Sequence, residues 1–304
     1  MNRTEKKTLR SSMLLLLTAL IWGVAFVAQS EGMNYVGGFT FIGTRYLIGG
    51  AVLLPVLFFL RKNNAEWKAL SEEEQKKQNQ IGVIGGICCG IALCTASSLQ
   101  QFGIAYTTVG KAGFITALYI VIVPLLGLFL KKKVGLNIWI SVAIAAVGMY
   151  LLCITEGFRI GKGDFLVFLC AITFSFHILI IDHFSPKADG VLISCVQFFT
   201  AGVIGMVLMF LFEQPTMSGI LSAWAPILYA GVFSSGVGYT LQVVAQKDVE
   251  PTVASLLMSM ESVFSMLAGW VLLGQKLSGK ELLGCFLVFA AIILAQLPMK
   301  GEHV

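Results

Sequence analysis

The chain has 304 residues, 57% of them hydrophobic and only 12% charged, with a formal net charge of +5. Soluble domains run near 45–50% apolar and about 25% charged, so a soluble fold is excluded, as are disordered, collagenous and disulfide-scaffold chains. A bilayer span uses about 20 apolar residues and short links bring each unit to roughly 30, so this length accommodates about ten spans.

In chain order, the apolar runs predict spans at Ser11–Gln29, Gly38–Leu60, Ile81–Tyr106, Ala112–Leu130 and Leu136–Cys153. A second set follows at Asp164–Ile181, Val191–Phe212, Ala223–Gln246, Thr252–Leu273 and Gly279–Leu297. The runs are continuous rather than alternating, which argues against a β-barrel. Arg3, Lys6, Lys7 and Arg10 ahead of Leu14–Leu17 look like the start of a signal peptide. The run continues through Trp22, Gly23 and Phe26, so an uncleaved first helix is expected. Arg61–Gln80 reads as the one sizeable polar linker.

The basic residues set an orientation through the positive-inside bias. With a cytoplasmic N-terminus, the inner segments hold Arg3, Lys6, Lys7, Arg10, Arg61, Lys62, Lys68, Lys76, Lys77, Lys131, Lys132, Lys133, Lys187, Lys247 and Lys300. The outer segments hold only Lys111, Arg159, Lys162, Lys276 and Lys280. The expectation is a multi-pass protein of the cytoplasmic membrane with both termini inside, whose positive charge reflects topology rather than nucleic-acid binding. Cys88, Cys89, Cys94, Cys153, Cys170, Cys195 and Cys285 lie almost entirely within apolar runs and form no metal-ligand spacing, so they read as small buried hydrophobes. Neither a metal nor another cofactor is expected. No P-loop, HExxH or nucleophile elbow is present, so neither ATP use nor an intramembrane enzyme is supported. No re-entrant filter points to a channel.

At an offset of 142 residues, Ala112 pairs with Ala254, Val121 with Val263, Leu125 with Leu267, Gly127 with Gly269, and Leu130 with Leu272. That offset carries the fourth span onto the ninth. Five spans is an odd number, so the two copies cross the membrane in opposite directions, the inverted plan favoured by secondary transporters.

Six further stretches, three in each half, make the likeness specific. The second half reads Gly238-Tyr-Thr-Leu-Gln-Val-Val-Ala-Gln-Lys247, Pro251-Thr-Val-Ala-Ser-Leu-Leu-Met-Ser-Met-Glu261-Ser-Val-Phe264 and Leu272-Leu-Gly-Gln-Lys-Leu-Ser278. The first half reads Ala19-Leu-Ile-Trp-Gly-Val-Ala-Phe26, Thr44-Arg-Tyr46 and Ala112-Gly-Phe-Ile-Thr-Ala-Leu-Tyr119, with Pro124 following. Over essentially its whole length the chain resembles EamA-type members of the drug/metabolite transporter superfamily. The resemblance implies an all-α membrane fold of ten helices in two inverted five-helix repeats, over residues 1–155 and 156–304. The first four helices of each repeat would line a central cavity and the fifth would lie outside it. It also implies movement of a small metabolite, often amino-acid export. Two positions depart from the family pattern: Glu261-Ser262 stands where many members have Glu-Pro, and Leu273-Gly274-Gln275 where Leu-Gly-Glu is usual.

Ionisable groups at membrane depth cost about 2.5–3.5 kcal/mol on insertion scales, so each needs a partner or a task. Glu261 lies near the middle of the ninth span, with Ala254, Met258 and Ser265 on its face. It is either a cavity carboxylate that binds a cationic group or carries a proton, or a carboxylate locked between helices. Arg45 either holds a substrate carboxylate or pairs structurally with Glu31. His177, near Phe174 and Ile181, is either a relay or a packing residue. Asp182 and His183 read as helix-end residues. Gln100, Gln101, Gln197 and Gln242 bond across helices or line a cavity. Trp22 and Tyr119 are expected in the cavity on the strength of the resemblance, whereas for Tyr239 wall and core stand equal. Gly85, Gly86 and Gly90, with Ser234 and Gly238, have the spacing of close helix packing.

The function expected is a secondary transporter or facilitator for an amino-acid-like or cationic solute, working by alternating access, with protons as a possible coupling ion. The alternative is a lipid or lipid-carrier flippase of the same superfamily. Monomer and homodimer stay open.

Overall fold

A computed structural model of the protein describes residues 3–131, 134–153, 161–273 and 278–296. Outside those residues lie Lys132, Lys133, Arg159, Lys276, Lys300, the Gly274-Gln275 pair and the expected boundary between the halves.

The described residues form helices and no strands. α1 (Arg3–Gly32) and α2 (Gly38–Asn63) are followed by the short α3 (Ala65–Ala69) and the long α4 (Glu72–Ile104). α5 (Val109–Thr116) and α6 (Tyr119–Phe129) make one interrupted span, and α7 (Leu136–Cys153) closes the first half. α8 (Lys162–Phe184) and α9 (Gly190–Phe212) precede the short α10 (Met217–Ser222) and α11 (Trp224–Leu228). A π-helical stretch, Tyr229–Tyr239, then leads into α12 (Thr240–Gln246). α13 (Pro251–Met258) and α14 (Met260–Leu273) form a second interrupted span, and α15 (Gly279–Gln296) comes last.

Eight helical runs among the described residues are long and apolar enough to cross a membrane. α7 and α15 carry shorter apolar stretches, Leu136–Gly148 and Leu282–Ala295, so the expectation of ten spans is met in eight by length and composition. Large apolar side chains such as Phe58, Phe129, Phe210 and Phe286 stand exposed on the outside. Contiguous surface of that kind belongs against lipid.

Arg61–Gln80 is not the simple linker expected. Ser71 accepts a hydrogen bond from the Glu74 amide, and the Glu74 carboxylate accepts one from the Ser71 amide. This capping box starts α4 at Glu72 and extends the helix nine residues ahead of its apolar run.

Packing pairs α2 with α9, α4 with both α8 and α9, α1 with α14, and α7 with α15. Backbones meet closely where glycine removes the side chain. A Cβ on Gly205 would lie 2.9 Å from the Gly43 nitrogen, and one on Gly90 2.7 Å from the Gln197 carbonyl oxygen. Small residues supply this contact in membranes because lipid tails leave no hydrophobic difference to drive helices together.

Three spans leave regular α-helix at mid-length. At the α5–α6 join, the amides of Leu118, Ile120 and Val121 bond three residues back, to Ile115, Ala117 and Leu118. At the α13–α14 join, the Ser262 amide bonds the Ser259 carbonyl in the same short fashion. Ser255, Ser259, Ser262 and Ser265 each donate a hydroxyl to the carbonyl three residues earlier. Such back-bonding bends helices, which accounts for an interruption beside Glu261-Ser262 where no proline follows the carboxylate. The third irregularity is the π-helical stretch, with Gly231, Gly236 and Gly238 within it.

Both ends of the bundle are tied. At the end holding the N-terminus, the Ser11 hydroxyl donates to Asp248, and Arg61 pairs with Asp189 at 3.4 Å. At the other end, the Glu213 carboxylate accepts from the Phe39 and Thr40 amides and the Thr40 hydroxyl, capping α2 from α9. There too, Lys111 pairs with Asp164 at 2.5 Å, and Asp164 also accepts from Thr107 and the Gly161 amide.

Candidate functional site

The irregular joins surround a central cavity. Counted to its mouth, it holds about 440 Å³ of empty space, but only about 30 Å³ admits the centre of a water-sized molecule. That is room for about two waters. Its wall draws on α1, α2, α4, α5, α6, α8, the π-helical stretch, α12, α13 and α14; α7, α9 and α15 contribute nothing.

Helical spacing explains the wall locally. Trp22, Ala25, Phe26 and Gln29 occupy one face of α1 at i, i+3, i+4 and i+7 and all face the cavity. Thr116 and Tyr119 flank the α5–α6 join; Met258 and Glu261 flank the α13–α14 join. Phe174 and Ile178 come from α8, Ser234 and Tyr239 from the π-helical stretch, Gln242 from α12.

Glu261 is 3% exposed and accepts a 2.9 Å hydrogen bond on Oε1 from the Tyr119 hydroxyl, itself buried. No other side chain among the described residues bonds this carboxylate, so its second oxygen is left to the cavity. Tyr239 is the hub of an aromatic cluster. Its ring centroid lies 4.5 Å from Trp22, 5.9 Å from His177, 6.2 Å from Phe198 and 6.4 Å from Tyr46. The Trp22 indole nitrogen donates to the Ser234 carbonyl, fixing that ring against the π-helical stretch. Gln242 donates to Gln246, leaving its own carbonyl oxygen unpartnered on the cavity wall. Gln100 donates to the Thr116 hydroxyl, and Gln101 to the Gln29 carbonyl.

Arg45 also faces this cavity and is 1% exposed. The expected ion pair with Glu31 does not form. Glu31 is exposed at the far end of α1 and accepts from Asn34 instead. The Arg45 guanidinium donates from Nη2 to the Tyr46 hydroxyl at 2.5 Å and to the Ser97 hydroxyl at 3.3 Å.

Of the residues singled out from sequence, Glu261, Trp22, Tyr119, Tyr239, Gln242 and Arg45 converge on one space. His177 and Gln197 do not reach it. They bond each other at 3.0 Å, and the His177 ring lies 5.9 Å from that of Tyr239, which does line the cavity. Ala25, Phe26, Gln29 and Thr116 were not anticipated, although the face projected from Trp22 contains the first three. Of the cysteines, Cys89, Cys94, Cys170 and Cys195 are buried and Cys88 and Cys285 half-buried, and none of these six is in a disulfide among the described residues.

The sequence profile of the EamA-like transporter family matches residues 9–154 and again 161–297. The chain belongs to the EamA-like transporter family. Among its relatives is an uncharacterized transporter of Archaeoglobus fulgidus, 27% identical over 96% of this chain and 87% of that one. An uncharacterized transporter of Clostridium kluyveri is 24% identical over 92% of this chain and 91% of its own. A solved crystal structure superposes with a TM-score of 0.75 at 16% identity, covering 94% of this chain and 96% of the other, a likeness of fold alone. This EamA-family protein is therefore a multi-pass membrane transporter.

Proposed function

We propose that the chain is a secondary transporter or facilitator that moves an amino-acid-like or cationic organic solute by alternating access. The expected setting is the cytoplasmic membrane, with both termini inside and export as the direction. The observation that carries this reading is the Glu261 carboxylate, buried beside a narrow central cavity with one neighbouring donor and one oxygen free. A carboxylate is an acceptor for ammonium groups, and the aromatic faces of Trp22 and Tyr239 suit the same cations. Room for about two waters means that a solute enters only when the bundle opens.

The proposed rocking motion pairs two halves read as inverted copies. The offset of 142 residues found in the sequence carries Val109–Thr116 onto Pro251–Met258, so both interrupted spans break at matching positions. The same offset carries Tyr119 onto Glu261, and these two residues touch. Under two-fold symmetry, matching positions meet only on the axis, so this contact supports a hinge axis close to the proposed solute site. We accordingly read residues 1–155 and 156–304 as the two repeats, with ten spans between them.

The test is uptake of a solute panel into vesicles containing the purified protein, wild type against Glu261→Gln. The expected result is a folded variant with transport reduced at least tenfold; wild-type rates would refute the assignment. Repeating the assay with and without a pH gradient separates proton coupling from facilitation.

A further inference from the structure

We propose that Arg45 forms a separate anion subsite in the central cavity, one that holds a carboxylate or other small anion through its unpartnered guanidinium donors. The inference rests on the transport reading above and adds a second charged anchor to it.

A guanidinium is a permanent cation in proteins, and a buried charge needs a counter-charge or a full set of hydrogen bonds. Arg45 has neither. Among the described residues, its buried Nε and Nη1 have no partner, and its hydrogen bonds run from Nη2 to the hydroxyls of Tyr46 and Ser97. Those hydroxyls also bond each other, so they hold the guanidinium in place without neutralising it. The ring faces of Tyr46 and Phe41, 4.5 and 5.9 Å from the guanidinium carbon, offset part of the cost of burial.

Among the described residues, no ion pair forms between Arg45 and a carboxylate, and three acidic residues near the ends and middle of the bundle bond elsewhere. Glu31 bonds Asn34. Glu213 caps α2 through the Phe39 and Thr40 amides and the Thr40 hydroxyl. Glu261 lines the same cavity but bonds Tyr119, and no ion pair joins it to Arg45. The cavity therefore presents a guanidinium and a carboxyl group that do not bond each other. The counter-charge that fits Arg45 is a ligand anion, either the carboxylate of the solute or a free inorganic ion.

The test is thermal melting of the full purified chain in detergent with four probes: sodium propionate, propionamide, sodium chloride and methylammonium. Propionate is expected to raise the melting temperature by several degrees in the wild type, while the isosteric neutral propionamide leaves it unchanged. The propionate shift should vanish in Arg45→Gln. In Arg45→Lys, which keeps the charge and loses the planar donors, at least tenfold more propionate should be needed. Propionate protection alone assigns the subsite to a solute carboxylate, whereas equal protection by chloride assigns it to an inorganic anion. Equal shifts from propionate and propionamide, or an undiminished propionate shift in either Arg45 variant, would overturn the proposal. If Arg45→Gln does not fold, the lysine variant and the wild-type propionate–propionamide pair still decide it. Methylammonium reports the other anchor: its shift should persist in Arg45→Gln and disappear in Glu261→Gln, so either site can fail without the other.

Discussion

The hydrogen bond from Tyr119 to Glu261 joins the two halves at the cavity, and its contribution can be isolated. Tyr119→Phe removes one hydroxyl and keeps the ring, so the 2% exposed site loses its donor without a sizeable void. Hydrogen bonds to charged groups contribute about 1.5–3 kcal/mol in proteins. Interhelical bonds in membrane bundles average about 0.6 kcal/mol and reach about 1.7, because the unfolded helices also find partners. The Tyr119 bond is the only one this buried carboxylate makes to a described side chain, which places it at the upper end, near about 1.5 kcal/mol. Glu261→Met removes the acceptor at similar length, and the double variant closes a thermodynamic cycle. Unfolding by added SDS in mixed micelles, followed by tryptophan fluorescence, reads all four proteins. The two single losses should exceed the double loss by about 1.5 kcal/mol, slightly more than tenfold in the unfolding constant. A coupling energy below about 0.3 kcal/mol would show that the bond does not join the halves, and the axis argument would fall with it.

Two further outcomes follow from packing and capping. A Cβ at Gly23 would stand 2.4 Å from the Phe264 Cβ and 2.8 Å from its carbonyl carbon, so Gly23→Ala should force α1 off α14 at about 1–3 kcal/mol. A melting temperature equal to wild type would contradict that contact. Glu213→Ala removes the acceptor for two α2 amides and the Thr40 hydroxyl, and should destabilise by about 1–2 kcal/mol. The same unfolding titration measures it, and Glu213→Gln, which keeps an acceptor, should recover part of the loss.

Much of the fold was legible in the sequence because hydropathy is a running local property. The runs from Gly38, Leu136 and Gly279 begin in the structure where the sequence placed them. Helix extensions were harder to see where the chain turns polar. α4 reaches back to Glu72 because Ser71 and Glu74 cap it, a signal carried by two residues rather than by hydropathy. The site was partly legible. Carboxylates and guanidiniums are rare inside apolar runs, so Glu261 and Arg45 stood out by their cost.

What each buried polar residue touches was not legible. In a soluble helix the apolar face points inward, and periodicity identifies the core side. In these spans lipid is as apolar as the protein interior, so both faces read alike. Nothing in the spacing distinguishes Gln197, which bonds His177 and does not line the cavity, from Gln242, which does. The sequence by itself determined the membrane class, eight of the ten spans it predicted and the short list of charges within apolar runs. Only the tertiary structure decided that Tyr119 meets Glu261 across 142 residues, that Glu31 does not reach Arg45, and that a buried guanidinium faces the cavity with no counter-ion among the described residues. Those are contacts between distant segments, set by close backbone packing at positions such as Gly43 with Gly205, and no local pattern encodes them.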